Sequence, residues 1–162
     1  MVVDPVGRWE SMAGKKREKR KQQTERVDLY QAAALPFRVR KGKLEFCLVT
    51  VRGGQSWTMP KGTIEKSELG TDCAGRESFE EAGLEGRVLE PALCRYTDSK
   101  GKKTIEVTVW LFEVSRCLKK WPEKKSRTRQ WASPRKAIRL LERPKLVAPV
   151  IDGIRRLERW DD

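Results

Sequence analysis

Residues 30–40 and 44–52 are rich in apolar, β-branched and aromatic side chains, and Lys41-Gly42-Lys43 separates them. This pattern predicts a β-hairpin. Gly53-Gly54-Gln55-Ser56 ends the second strand, and Trp57-Thr58-Met59-Pro60 leads into a loop that holds Gly62. A helix is predicted over about residues 71–82, with Gly83 suited to the left-handed position after it. Gly70 and Gly75 weaken that helix, so packing must support it. Residues 86–97 and 103–114, joined by Asp98-Ser99-Lys100-Gly101, predict a second antiparallel pair. A basic loop over residues 116–127 precedes a short strand at 128–132. Ser133-Pro134 then caps a helix to about Glu142, which turns Ala137, Ile138, Leu140 and Leu141 inward. The last helix spans about residues 146–160, with Val147, Val150, Ile151, Ile154 and Leu157 as its core stripe.

Strands, one helix, more strands and then terminal helices make an α+β domain over residues 29–160. The chain of 162 residues is long enough for one such core. Residues 1–28 are polar and charged with no apolar period, which predicts a disordered basic arm able to meet nucleic acid or another polyanion. No apolar leader and no long apolar run are present, so no membrane association and a cytoplasmic location are expected. Cys47, Cys73, Cys94 and Cys117 are far apart and lack a C-x-x-C spacing, which suits reduced thiols better than a zinc site. Oligomeric state is left open.

Charge changes this picture. The chain has 36 Lys and Arg against 23 Asp and Glu, a net +13, and no histidine. Such a surface suits polyanions, and a small molecule rich in phosphate is the expected partner. Without histidine there is no Ser-His or Cys-His pair and no histidine metal site. Acids are concentrated between Glu65 and Glu90, where Glu77, Glu80 and Glu81 fall on one face of the predicted helix. Like charges at that spacing cost about 0.2–0.5 kcal/mol per pair even on an exposed helix. A positive partner is required, and a hard cation such as Mg2+ or Mn2+ matches carboxylate oxygens. Glu77 and Glu81, one turn apart, are the best ligands, with Glu80 beside them. The Gly62 carbonyl is a further donor, because glycine permits close backbone approach.

Residues 62–84 resemble the Nudix box, G-x5-E-x7-R-E-U-x-E-E-x-G-U with U a bulky aliphatic. Gly62, Glu68, Arg76, Glu77, Glu80, Glu81, Gly83 and Leu84 fall on its positions. Ser78 departs from it, standing where an aliphatic residue packs inward, with Phe79 or Ala82 available to compensate. Trp57-Thr58-Met59-Pro60-Lys61-Gly62 resembles diadenosine polyphosphate hydrolases. Trp121 and Thr128-Arg129-Gln130-Trp131 are more similar to diphosphoinositol polyphosphate phosphohydrolases. The resemblance implies a Nudix α/β/α sandwich, a mixed sheet flanked by the box helix and the C-terminal helices. It also implies attack by metal-activated water on a P–O–P linkage, and an Arg76–Glu68 pair that fixes the loop to the helix. Glu81 and Glu106 are candidates for the general base.

Arg38, Arg52, Lys61, Lys103 and Arg129 are candidate phosphate contacts, and Trp57 and Trp131 could stack on a base or simply pack. Three readings follow. They are a pyrophosphohydrolase of highly phosphorylated substrates, one acting on nucleoside triphosphates or RNA 5′ ends, and a non-catalytic RNA-binding module.

Overall fold

The computed structural model describes residues 26–159. The expected arm, apart from residues 26–28, lies outside them, as do Trp9 and Trp160. The chain forms β1 (Leu29–Arg40), β2 (Lys43–Thr50), β3 (Trp57–Thr58), β4 (Lys61–Thr63), α1 (Gly70–Ala82), β5 (Leu84–Lys100), β6 (Lys103–Cys117), β7 (Arg129–Ala132), α2 (Pro134–Leu141) and α3 (Pro144–Glu158). The sheet has seven strands in the order β3-β2-β1-β6-β5, with β4 also paired to β1 and β7 to β2. β1 and β6 run parallel and the other pairs are antiparallel, so the sheet is mixed.

The central strand β1 is buried on both faces, which explains why it shows no polar alternation. Ala33, Leu35 and Phe37 join Leu48, Leu111, Ala137, Leu141, Leu146 and Val150 in one core beneath α2 and α3. Ala32 and Ala34 point the other way and meet Cys73, Ala74 and Ala82 of α1. Small side chains on both partners let α1 lie close to the sheet. Leu35, Leu48 and Leu111 are fully buried, each contributing about 1.5–3 kcal/mol by removal from water.

The α1 boundary is explained by Gly83, at φ 64°, whose N–H reaches back to the Phe79 and Ser78 carbonyls. At α2, Ser133 accepts a bond from the Lys136 N–H at 3.3 Å and Pro134 begins the helix.

Several local expectations change. The sequence pattern places a loop around Gly62, where β4 forms, and predicts no strand at Trp57–Thr58, where β3 forms. Both strands are too short to show a period, and they exist because β2 and β1 offer them pairing edges. The β5–β6 ladder continues through Asp98 and Ser99 to Lys100, so its turn is shorter than expected. In α3, Ile151 is exposed, whereas Leu146, Pro149, Val150 and Gly153 are buried. The helix begins at Pro144, and the residues that dock on the sheet are set by that start.

Candidate active site

α1 crosses the sheet with its acids facing β4. Gly62, opposite Ala32 in the β1–β4 pairing, faces Glu77 so closely that a Cβ there would overlap the Glu77 carboxylate. Its carbonyl lies 3.5 Å from the Cys73 thiol. The Lys61 N–H points to Glu81 Oε2 at 3.3 Å. The short strand thus brings backbone against two carboxylates from the far side of the loop.

Arg76 is the first cation of the site. Its Nε and Nη2 grip Glu68 at 2.7 and 3.0 Å, and its Nη1 lies 2.9 Å from Glu77 and 3.3 Å from Glu80. This fork holds the loop before α1 to the acidic face, a geometry that suits a guanidinium better than an ammonium. It also holds the Glu68 carboxyl down at about 2.

The second cation was not read from the sequence. Arg127, in the segment between β6 and β7, places Nη2 3.0 Å from Glu81 Oε1 and Nε 3.1 Å from Glu123 Oε1. Its Nη1 donates to the Thr50 carbonyl at 3.0 Å. Charge patterning assigned Arg127 to a basic loop, and nothing local marked it as a partner of Glu81. The same segment supplies Glu123, a further carboxylate that sequence reasoning missed. Ligand oxygens of Glu77, Glu80 and Glu123 lie within 4.8 Å of one another.

This segment is fastened to the end of α1 by the carbonyls that every helix leaves unpaired at its C-terminus. Glu80 O accepts from the Glu123 N–H at 3.0 Å, Glu81 O from Trp121 Nε1 at 3.0 Å, and Gly83 O from the Leu118 N–H at 2.8 Å. Ala82 O accepts from Arg129 Nη1 at 2.7 Å, and the Arg129 guanidinium stacks over Trp121. Residues 118–129 therefore form a strap across the carboxylate helix.

Burial dominates the electrostatics of Glu77 and Glu81, which are 7 and 4% exposed. It raises both carboxyls above the usual range, and Glu81 reaches about 8 although Arg127 and the Lys61 N–H oppose the shift. Two arginines do not fully compensate this group of acids. An all-oxygen donor set of this kind fits a hard divalent cation. Glu77, Glu80 and Glu123 could hold one, with Glu81 beside them.

The other candidates separate by position. Lys61 lines a cleft of about 460 Å³ with Trp57, Ser56, Arg143 and Leu146, and burial lowers its amine. Arg52 is exposed and 3.7 Å from Glu123. Arg129, expected to meet phosphate, is engaged by the Ala82 and Leu118 carbonyls. Arg38 pairs with Glu45 at 2.7 Å and lies 3.7 Å over Trp131, well along β1 from its β4 pairing. Lys103 is exposed at the β5–β6 turn. Glu106 stands between Tyr30 and Thr97 in the sheet, outside the carboxylate cluster.

Ser78 is fully buried, and its hydroxyl donates to the Ala74 carbonyl at 2.9 Å. Ala82 packs inward beside it, whereas Phe79 is 39% exposed and fills no gap. The site therefore keeps its packing without the aliphatic residue.

The family described as NUDIX domain matches residues 29–152. The chain belongs to the Nudix family. Among its Nudix relatives, Nudix hydrolase 12, mitochondrial, of Arabidopsis thaliana is 30% identical over 106 residues, 60% of this chain and 52% of that protein. Nudix hydrolase 21, chloroplastic, of the same plant is 32% identical over 114 residues, 67% of this chain and 57% of that protein. The chain thus spans little more than half the length of these two. Diphosphoinositol polyphosphate phosphohydrolase 3-beta of Bos taurus is 30% identical over 114 residues, 69% of this chain and 68% of that protein.

The C. elegans Ap4A hydrolase binary complex superposes with a TM-score of 0.69 at 21% identity, covering 80% of this chain and 98% of that one. That likeness concerns the Nudix fold. Among the described residues no helix is long and apolar enough to cross a membrane. The plant relatives carry mitochondrial and chloroplastic names, and the cytoplasmic location stays an expectation.

Proposed function

We propose that this chain is a divalent-cation-dependent hydrolase of P–O–P linkages in a polyphosphorylated small molecule, such as a diadenosine polyphosphate or a diphosphoinositol polyphosphate. The observation that carries this reading is the convergence of Glu77 and Glu80 of α1 with Glu123 of the strap, whose ligand oxygens lie within 4.8 Å of one another beside the buried Glu81. Glu77, Glu80 and Glu123 would hold Mg2+ or Mn2+, with Glu81 available to a further ion. When bound, the ion supplies charge neutralisation of phosphate oxygens and a more acidic water.

The chain's own residues supply the rest. Arg76 and Glu68 fix the loop that carries Gly62, so the backbone stays against Glu77. The Lys61 N–H orients Glu81, and the Lys61 side chain extends into the cleft with Arg143. Lys61 therefore connects the carboxylates to a cavity for the part of the substrate that does not react. A half-buried Lys and an Arg at its wall suit phosphates, and Trp57 offers an apolar ring. In the reaction a water oxygen bonds to one phosphorus and gives up a proton to bulk water, while the bridging oxygen leaves with the electron pair of the broken P–O bond.

The test is a substrate panel with Mg2+, its products resolved by chromatography. Diadenosine polyphosphates or diphosphoinositols should be cleaved in preference to nucleoside triphosphates and capped or triphosphorylated RNA. Turnover confined to nucleoside triphosphates would overturn the substrate class. Absence of turnover across the panel, together with salt-sensitive RNA binding, would favour the non-catalytic module.

A further inference from the structure

We infer that Arg127 is a built-in counter-cation that competes with metal for Glu81, and so sets how strongly the second half of the carboxylate site takes a divalent ion. This rests on the metal-site reading above, and the experiment below separates the two.

Arg127 is committed on every side. Its side chain is 12% exposed, and its three nitrogens meet Glu81, Glu123 and the Thr50 carbonyl. The Glu81 side chain it faces is 5% exposed. An ion taking that carboxylate would meet a guanidinium already bonded to it at 3.0 Å. Two cations that share one carboxylate oppose each other, so either weakens the other's binding by the same factor.

The arrangement divides the acids unequally. Arg76 touches Glu77 and Glu80 but is drawn chiefly to Glu68 at 2.7 Å, and Glu77, Glu80 and Glu123 still converge. Glu81 is not one of that trio, although it lies within hydrogen-bond reach of Glu77, and it faces Arg127, which Glu123 shares. A first ion at the trio leaves the Glu81–Arg127 pair in place, although Glu123 is shared between them. A second ion that uses Glu81 must displace the guanidinium. Occupancy is therefore stepwise.

A purely architectural role for Arg127 makes a different prediction. The strap is already fastened to α1 through Leu118, Trp121, Glu123 and Arg129, whose bonds to helix carbonyls do not involve Arg127. Removing the Arg127 charge should leave those bonds standing. If Arg127 mattered only as a fastener, its loss would misplace Glu123 and weaken metal binding.

The experiment is Mn2+ titration followed by electron paramagnetic resonance, on wild type, Arg127→Gln, Arg127→Lys and Trp121→Phe. Thermal unfolding in EDTA and in excess Mg2+ is measured alongside. The wild type should bind one ion tightly and a second more weakly. Arg127→Gln should tighten the weaker ion by about tenfold, mid-range for coupled sites. It should also unfold at lower temperature in EDTA and recover more than wild type on adding Mg2+. Arg127→Lys, which keeps the charge, should stay near wild type. Trp121→Phe, which loses the bond to Glu81 O, should be less stable without tighter Mn2+. Weaker or unchanged Mn2+ binding in Arg127→Gln would overturn the inference. A wild type that binds no Mn2+ would instead overturn the metal-site reading itself.

Discussion

Replacing Arg76 with Met keeps an unbranched apolar stem and removes the guanidinium that joins three carboxylates of the box. The variant loses two bonds to Glu68, at 2.7 and 3.0 Å, and contacts of 2.9 and 3.3 Å to Glu77 and Glu80. Removing one member of a buried ion pair costs about 3–5 kcal/mol, and an exposed pair contributes about 1 kcal/mol or less. The Arg76 side chain is 26% exposed, Glu68 14% and Glu77 10%, so the loss falls between these limits. About 2–3 kcal/mol is expected at pH 7 without metal.

The pH dependence has a defined sign. Arg76 holds Glu68 down at about 2 from an ordinary 4.5, so this stabilisation is complete above about pH 4.5 and is lost as pH falls toward 2. Urea unfolding in EDTA should show a lower midpoint with an unchanged slope for the variant, and the gap to wild type should narrow below pH 4.5. A loss under about 0.5 kcal/mol at pH 7, or a gap that persists undiminished at pH 2, would refute the placement of Arg76 as the main cation of the box.

Four further outcomes follow. Gly62→Ala should lower hydrolysis more than stability, because its Cβ would displace Glu77 from the backbone, and comparing turnover with thermal unfolding checks this. Ser78→Ala should change stability by no more than about 0.5 kcal/mol, since the hydroxyl only bonds back to its own helix, whereas Ser78→Leu should cost about 1–3 kcal/mol by overpacking a fully buried position. Gly75→Ala should stabilise the fold by about 0.5–1 kcal/mol, because a Cβ there meets nothing within 4 Å and the helix gains a better former, as denaturant unfolding can show. Burial raises Glu81 to about 8, so its contribution without metal is full below about pH 4.5 and declines as pH rises through 8; stabilisation by Mg2+ should therefore grow over that interval in thermal melts.

The carboxylate face was legible because three acids at helical spacing and the fixed points of the Nudix box lie close together in the chain. Gly83 was legible for the same reason, since a left-handed stop is a local requirement met at φ 64°. Arg127 and Glu123 were not, because they reach the site only after β6 returns the chain to the end of α1. The sequence called for something positive among the acids and suggested a metal, whereas the protein itself already places two arginines there. Arg129 shows the converse. Its basic character suited a phosphate, yet the unpaired carbonyls of α1 and the Trp121 ring engage it. The strands β3 and β4 were hidden by their length, although β4 is what brings Gly62 and Lys61 to the carboxylates. Ser78 broke the expected apolar pattern without breaking the fold, because its hydroxyl is satisfied inside the helix.

The central claim is that hydrolysis of a P–O–P linkage depends on the acidic face of α1. Its most direct test compares wild type with Glu77→Gln in 18O-labelled water, with Mg2+ or with EDTA, on a diadenosine polyphosphate and a diphosphoinositol polyphosphate. Wild type with Mg2+ should place one 18O in a single product phosphate. EDTA should abolish the incorporation, and Glu77→Gln should slow it at least about a hundredfold, since even loss of a group that only orients a metal ligand costs 10–100-fold. Incorporation at an undiminished rate in Glu77→Gln or in EDTA would contradict the account.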